Sequence, residues 1–202
     1  MDPSERTSET ERRWATILFA DITGFTGLNE RFDIEDAYSI VSACLKLLDG
    51  IARKHGGTVD KYLGDCIMAM FGVPLAVEDA PKAAVNAAIE MHNRIHEFNR
   101  EQGLAEPLDI HTGINTGKVV SGDISGPVIR EFSVMGDPVN IAARLKDLAS
   151  KGQIWIGEET YRHTQDTFEF RSLDALTLKG KSREVGVYEV VSRREHLYRE
   201  VG

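Results

Sequence analysis

A chain of 202 residues with 42% hydrophobic and 28% charged side chains can bury a core without staples, as one generous domain or at most two small ones, and that balance excludes disorder as the main state. The formal net charge of −8 argues against binding a nucleic-acid polymer, because phosphate-dense chains reward a basic surface. It leaves room for a small anion held by a few local cations and metal ions.

The charge-free stretch at residues 67–77 is broken by Gly72 and Pro74, so neither a membrane span nor direct membrane insertion is expected. Residues 1–13 are polar and lack the apolar core of a secretion signal. Cys44 and Cys66 fall inside a helical and a strand pattern, and both are read as reduced thiols of a cytoplasmic protein.

Residues 14–20 are apolar on both faces, as in a central strand, and run into Asp21-Ile-Thr-Gly24, where the glycine marks a tight loop. Between Glu35 and His55, the positions Ala37, Ile40, Val41, Cys44, Leu47, Leu48 and Ile51 form the stripe of an amphipathic helix, stopped by Gly56-Gly57. Residues 58–63 and 66–71 predict a hairpin turning at Gly64-Asp65. Asp79 ahead of Pro81 opens a second helix with Ala84, Ala88, Met91, Ile95 and Phe98 on its buried side, ending near Gly103. His92 and His96 lie off that stripe and are expected at the surface.

Residues 108–115 and 119–124 read as strand around Gly117, and a short strand at 132–135 leads into Gly136-Asp137-Pro138. That cap-plus-proline start predicts a helix over 139–148. Beyond Gly152 come a strand at 154–156, a short helix near Glu158, and strands around 168–170 and 185–191. The alternation predicts an α/β (α+β) domain over 14–191 on a split β-α-β plan, with polar tails at 1–13 and 192–202.

Chemistry enters at three places. Asp21 ends a buried strand and Asp65 occupies a hairpin turn, so sheet pairing could bring two carboxylates together for a hard divalent ion; each is equally an ordinary cap or turn residue. Asn140 and Arg144 share one helix face and fit an anion clamp at the positive end of the dipole, or simply a solvated polar face. Residues 178–183, Leu-Lys-Gly-Lys-Ser-Arg, form a basic tip that suits either a phosphate or water. Walker-type loops, GxSxG elbows and CxxC pairs are absent from the sequence.

Three blocks in order, Phe19-Ala-Asp-Ile-Thr-Gly-Phe-Thr26, Gly57-Thr-Val-Asp-Lys-Tyr-Leu-Gly-Asp-Cys-Ile-Met-Ala69 and Phe132-Ser-Val-Met-Gly-Asp-Pro-Val-Asn-Ile-Ala-Ala-Arg144, resemble the catalytic domain of class III nucleotidyl cyclases. The resemblance implies a ferredoxin-like fold with a mixed sheet flanked by helices. It implies that Asp21, Asp65 and the Ile22 carbonyl hold two Mg2+ or Mn2+ ions. Asn140 would orient the ribose and Arg144 would stabilise charge in the transition state. Lys179 would contact the terminal phosphates, with Arg130 as an assisting cation, and Phe25 and Thr26 would border the substrate.

Lys61 lies four residues before Asp65, where adenylyl cyclases of this kind carry the purine-reading lysine and guanylyl cyclases usually carry Glu. Ser133 stands where many adenylyl cyclases have Asp and a bacterial-type subgroup has Thr or Ser. Lys can donate to adenine N1 and a hydroxyl oxygen can accept from the 6-amino group, so ATP is the expected substrate. The subgroup includes bicarbonate-responsive members, which adds bicarbonate as a candidate regulator. Family members work as head-to-tail dimers with composite sites, which implies one protomer giving Asp21 and Asp65 and the other Lys61, Ser133, Asn140, Arg144 and Lys179; this chain keeps both sets, so a homodimer with two complete sites is expected. The alternatives are a guanylyl cyclase, which Lys61 opposes, and a catalytically silent module, which the intact Asp and Asn/Arg sets oppose.

Overall fold

The computed structural model describes residues 11–24, 32–125, 130–177 and 184–194. Among them, eight strands form one mixed sheet: β1 (Glu11–Thr23), β2 (Thr58–Leu63), β3 (Cys66–Phe71), β4 (Asp109–Ser125), β5 (Arg130–Met135), β6 (Ile154–Gly157), β7 (Phe168–Thr177) and β8 (Glu184–Arg193). Four helices flank it: α1 (Ile34–Lys54), α2 (Ala80–Gln102), α3 (Asp137–Leu148) and α4 (Glu158–Thr164). The strand order is β2-β3-β1-β4-β6-β8-β7, with β5 also beside β4. One edge of β4 serves two partners, β6 in parallel at Thr112 to Ile114 and β5 antiparallel from Val120 to Ser125.

The unbroken apolar run of β1 is explained by burial on both faces. Side chains alternate along a strand, so Leu18, Ala20 and Ile22 enter one core with Ile67, Ala69, Phe71 and the stripes of α1 and α2. Ile17 and Phe19 enter a second core with Cys66, Met68, Met70, Val134 and Ala142 of α3. Cys44 and Cys66 are free and buried, and burial pushes both thiols up to about 12. No helix among the described residues is long and apolar enough to cross a membrane.

The hairpin and the α2 start form as the sequence predicts. The Asp79 side chain accepts from the Lys82 amide at 3.4 Å with Pro81 in the first turn, and α2 ends at Gly103. Three expectations need correction. β4 runs without a break through Gly117, which is neither turn nor bulge: a Cβ there would lie 2.7 Å from Pro138 Cγ, so the glycine lets α3 lie on the strand. Pairing also reaches further than polarity indicated, because β1 begins at Glu11 and β8 continues to Arg193, inside the stretches read as tails.

The third correction concerns His92, which is partly buried and lies 3.0 Å from Thr112 Oγ1, whereas His96 is exposed as expected. Burial drives the His92 pKa down to about 4 against the opposing pull of Asp109, so the folded protein holds a neutral imidazole there. The unfolded chain, with an ordinary value near 6.5, takes up a proton that the folded one refuses as pH falls. Stability therefore drops between about pH 6.5 and 4, by about 2 kcal/mol from this group at pH 5. Thermal melts at pH 7.5 and 5.0 should show His92→Leu losing less on acidification than the wild type; equal losses would remove His92 as the cause.

Candidate active site

The β1–β3 pairing assembles the first part of the site. Asp21 stands opposite Cys66 on one side and His111 on the other. The Ile22 amide donates to the Asp65 carbonyl at 3.1 Å, which ties the end of β1 to the hairpin turn. Gly64 makes that turn with a left-handed φ of 68°. Asp21, Ile22 and Asp65 are thus brought together by register, and their oxygens are the hard donors that Mg2+ or Mn2+ takes. Two carboxylates and a carbonyl would suit a hard divalent ion that also takes water and substrate phosphates.

Two neighbours of Asp21 escaped the sequence reading. Lys146 of α3 places Nζ 3.0 Å from Asp21 Oδ2, and also 2.7 Å from Asp147 Oδ1. His111 of β4 places Nε2 3.4 Å from the same Asp21 oxygen, while Nδ1 lies 2.9 Å from the Ala149 carbonyl. Burial by itself would raise the Asp21 pKa, but hydrogen bonds from His111 and Lys146 and their positive charge outweigh it, leaving the carboxyl below its ordinary value. In return the hydrogen bond to Asp21 raises the His111 pKa against the effect of burial. Lys146 is likewise raised, its burial more than offset by bonds to Asp147 and Asp21. The only sequence signal for either residue was long-range register, which single-chain periodicity does not carry.

A second cluster forms where β5 folds over the face that carries Met68. Lys61 Nζ lies 3.4 Å from Ser133 Oγ, although β3, β1 and β4 stand between their strands in the sheet. Ser133 is buried, and so is the carboxylate of Asp60, which the sequence reading passed over. Asp60 Oδ2 accepts from Ser133 Oγ at 3.2 Å and pairs with Lys61 Nζ at 3.1 Å.

Asn140 and Arg144 project from the exposed side of α3, while Pro138, Ala142 and Leu145 are buried. Among the described residues, neither is joined to the Asp21–Asp65 pair or to the Lys61–Ser133 pair by a hydrogen bond or ion pair. Phe25, Thr26 and Lys179 lie outside the described residues, and the backbone of Arg130 lies in β5 without a described side chain.

The sheet thus sets the Asp65 turn beside the end of β1, and α3, with Asn140 and Arg144 on its exposed side, packs on β4. The chain belongs to the adenylate and guanylate cyclase catalytic domain family, whose model it matches over residues 8–191. It is similar to the crystal structure of the adenylyl cyclase CyaB from P. aeruginosa, with 36% identity and a TM-score of 0.85 over 96% of this chain and 100% of that one. It is similar to the guanylyl cyclase Cya2 at 30% identity and a TM-score of 0.85, covering 94% and 97% of the two chains. An adenylate cyclase of Mycobacterium tuberculosis is 31% identical over 88% of this chain and 41% of its own length. The chain spans 28% to 41% of the length of such curated relatives.

Proposed function

We propose that this domain is an adenylyl cyclase, converting ATP to 3′,5′-cyclic AMP and pyrophosphate at composite sites in a head-to-tail homodimer. The observation that carries the choice of ATP is the Lys61–Ser133 pair, 3.4 Å apart in one protomer. Lys61 is a donor without acceptor capacity, matched to adenine N1. Ser133 offers an oxygen to the 6-amino group. Guanine presents the reverse pattern at both atoms.

Asp21 and Asp65, with the Ile22 carbonyl, would hold the divalent ions. When bound, these supply Lewis-acid polarisation of the phosphates and a lowered pKa for the ribose 3′-hydroxyl. Lys146 and His111 keep Asp21 ionised and orient it before substrate arrives. Asn140 from the partner protomer orients the ribose so that the 3′-oxygen faces the α-phosphorus. A new bond from that oxygen to phosphorus forms, the bond to the pyrophosphate oxygen breaks, and the 3′ proton leaves to solvent. Arg144 stabilises the negative charge that builds on the phosphoryl oxygens, the positioning and electrostatic work that dominates such reactions. Lys179 neutralises the departing pyrophosphate.

The test is product formation from ATP and GTP side by side, with Mg2+ and then Mn2+, at several protein concentrations. Cyclic AMP from ATP is expected, with specific activity rising with protein concentration as dimers form. Cyclic GMP as the main product would reverse the base assignment and keep the chemistry. A folded dimer that yields neither product would make the domain catalytically silent.

A further inference from the structure

We infer that Asp60 sets the purine preference by holding Ser133 as a pure hydrogen-bond acceptor, an inference that rests on the adenylyl cyclase reading above. The geometry begins with a fault in β2. Register against β3 passes from Val59 opposite Ala69 directly to Lys61 opposite Met68, so Asp60 is an extra residue in the strand. In a regular strand, residues 60 and 61 would point to opposite faces. The bulge instead aims both at Ser133, as bulges beside functional sites commonly do.

The hydroxyl of Ser133 has one proton and two lone pairs. Left free, it could rotate to accept from the 6-amino group of adenine or to donate to the 6-oxygen of guanine, and would choose poorly between them. Here its proton is given to Asp60 Oδ2 at 3.2 Å. Lys61 Nζ, held by the same Asp60 oxygen at 3.1 Å, donates to Ser133 Oγ at 3.4 Å. What remains for the base is a lone pair beside a fixed ammonium: an acceptor for the 6-amino group and a donor for N1. Guanine meets an acceptor at its 6-oxygen and a donor at its N1–H, two mismatches on one base edge.

Asp60 makes a poor purely structural residue. Its side chain has no exposed surface, and among the described residues Oδ1 is buried without a hydrogen-bond partner. Oδ2, by contrast, meets both Ser133 Oγ and Lys61 Nζ. Asp60 is therefore a positioning residue, since it acts on the base through Ser133 rather than by touching it. It confers on a serine the acceptor-only character that a carboxylate at position 133 would have by itself.

The experiment measures kcat/KM for ATP and for GTP on the full chain with Mn2+, for the wild type, Asp60→Val, Asp60→Asn, Ser133→Ala and the double variant Asp60→Val/Ser133→Ala. Asp60→Val frees the Ser133 proton and should lower the ATP-over-GTP ratio about tenfold, with GTP turnover rising rather than both falling. Asp60→Asn keeps an acceptor oxygen and should fall between the two. It carries the test if Asp60→Val loses its folded circular-dichroism spectrum. In the Ser133→Ala background, Asp60→Val should leave the ratio within about twofold, because the group it acts through is gone. A ratio unchanged in Asp60→Val and Asp60→Asn while both activities decline together would reduce Asp60 to a structural part and overturn the inference. So would a ratio shift that persists undiminished without Ser133. Wild-type protein that forms no cyclic AMP, or prefers GTP, would overturn the underlying reading and this inference with it, and that result is visible before any variant is compared.

Discussion

Chains carrying Asp21→Ala and chains carrying Arg144→Ala are each expected to lose activity by about a thousandfold or more, and to regain it when mixed. In a two-fold dimer with shared sites, random mixing makes half the dimers hetero, each with one site built entirely from wild-type groups and one doubly broken. Recovery should approach about a quarter of the wild-type rate. The structure gives the two residues different settings. Asp21 is partly buried at the end of β1 and held by Lys146 and His111, whereas Arg144 is exposed on α3 and free to reach another protomer. Removing the Asp21 carboxylate also takes one of two acidic partners from Lys146, which keeps Asp147. Asp21→Asn is the control that keeps the shape, and thermal melting separates folding from chemistry. Mixtures that stay inactive while size measurements show heterodimers would end the shared-site model.

The second large effect concerns packing. Gly113 lies in β4 directly under α3, and a Cβ built on it would sit 2.3 Å from both the Ala142 carbonyl oxygen and the Lys146 amide nitrogen, and 2.8 Å from Lys146 Cα. All three are backbone atoms, which cannot rotate aside as a side chain can. Gly113→Ala therefore has to push the helix off the sheet, at a cost of about 3 kcal/mol or more. Since α3 carries Asn140, Arg144 and Lys146, activity should fall even where the variant is fully folded. Gly50 in the interior of α1 is the comparison: a Cβ there meets nothing within 4 Å. Gly50→Ala should stabilise by about 0.5–1 kcal/mol through helix propensity and chain entropy. Urea unfolding of both variants checks the pair, and a cost below about 1 kcal/mol at Gly113 would falsify the close helix–strand packing.

Gly113 and Gly117 illustrate why some of the fold was hidden. Read along the chain, Gly117 is a strand breaker, and β4 divides in two around it. In space it is one of two glycines, four residues apart on the same face, over which α3 settles. Local chemistry carried other features in full. The Gly64-Asp65 turn, the Asp79 cap with Pro81, and the stripes of α1 and α2 each depend on residues within one or two turns of chain, and they fold as their spacing predicts.

The same division runs through the site. Motif order along the chain pointed to Asp21, Asp65, Lys61, Ser133, Asn140 and Arg144, and to the family, because each motif is a short contiguous run. Lys146 and His111 belong to no such run, and Asp60 lies inside one that assigns it no role. Lys146 meets Asp21 across 125 positions of sequence, and Asp60 meets Ser133 across 73. Such contacts arise from strand register, from one bulge in β2 and from the fold of β5 over the sheet. Residue types and spacing therefore specify which chemistry is present. Which carboxylate is kept charged, and which hydroxyl is held as an acceptor, depends on long-range pairing, since hydrogen bonds a few ångströms long are made only after distant strands are in register.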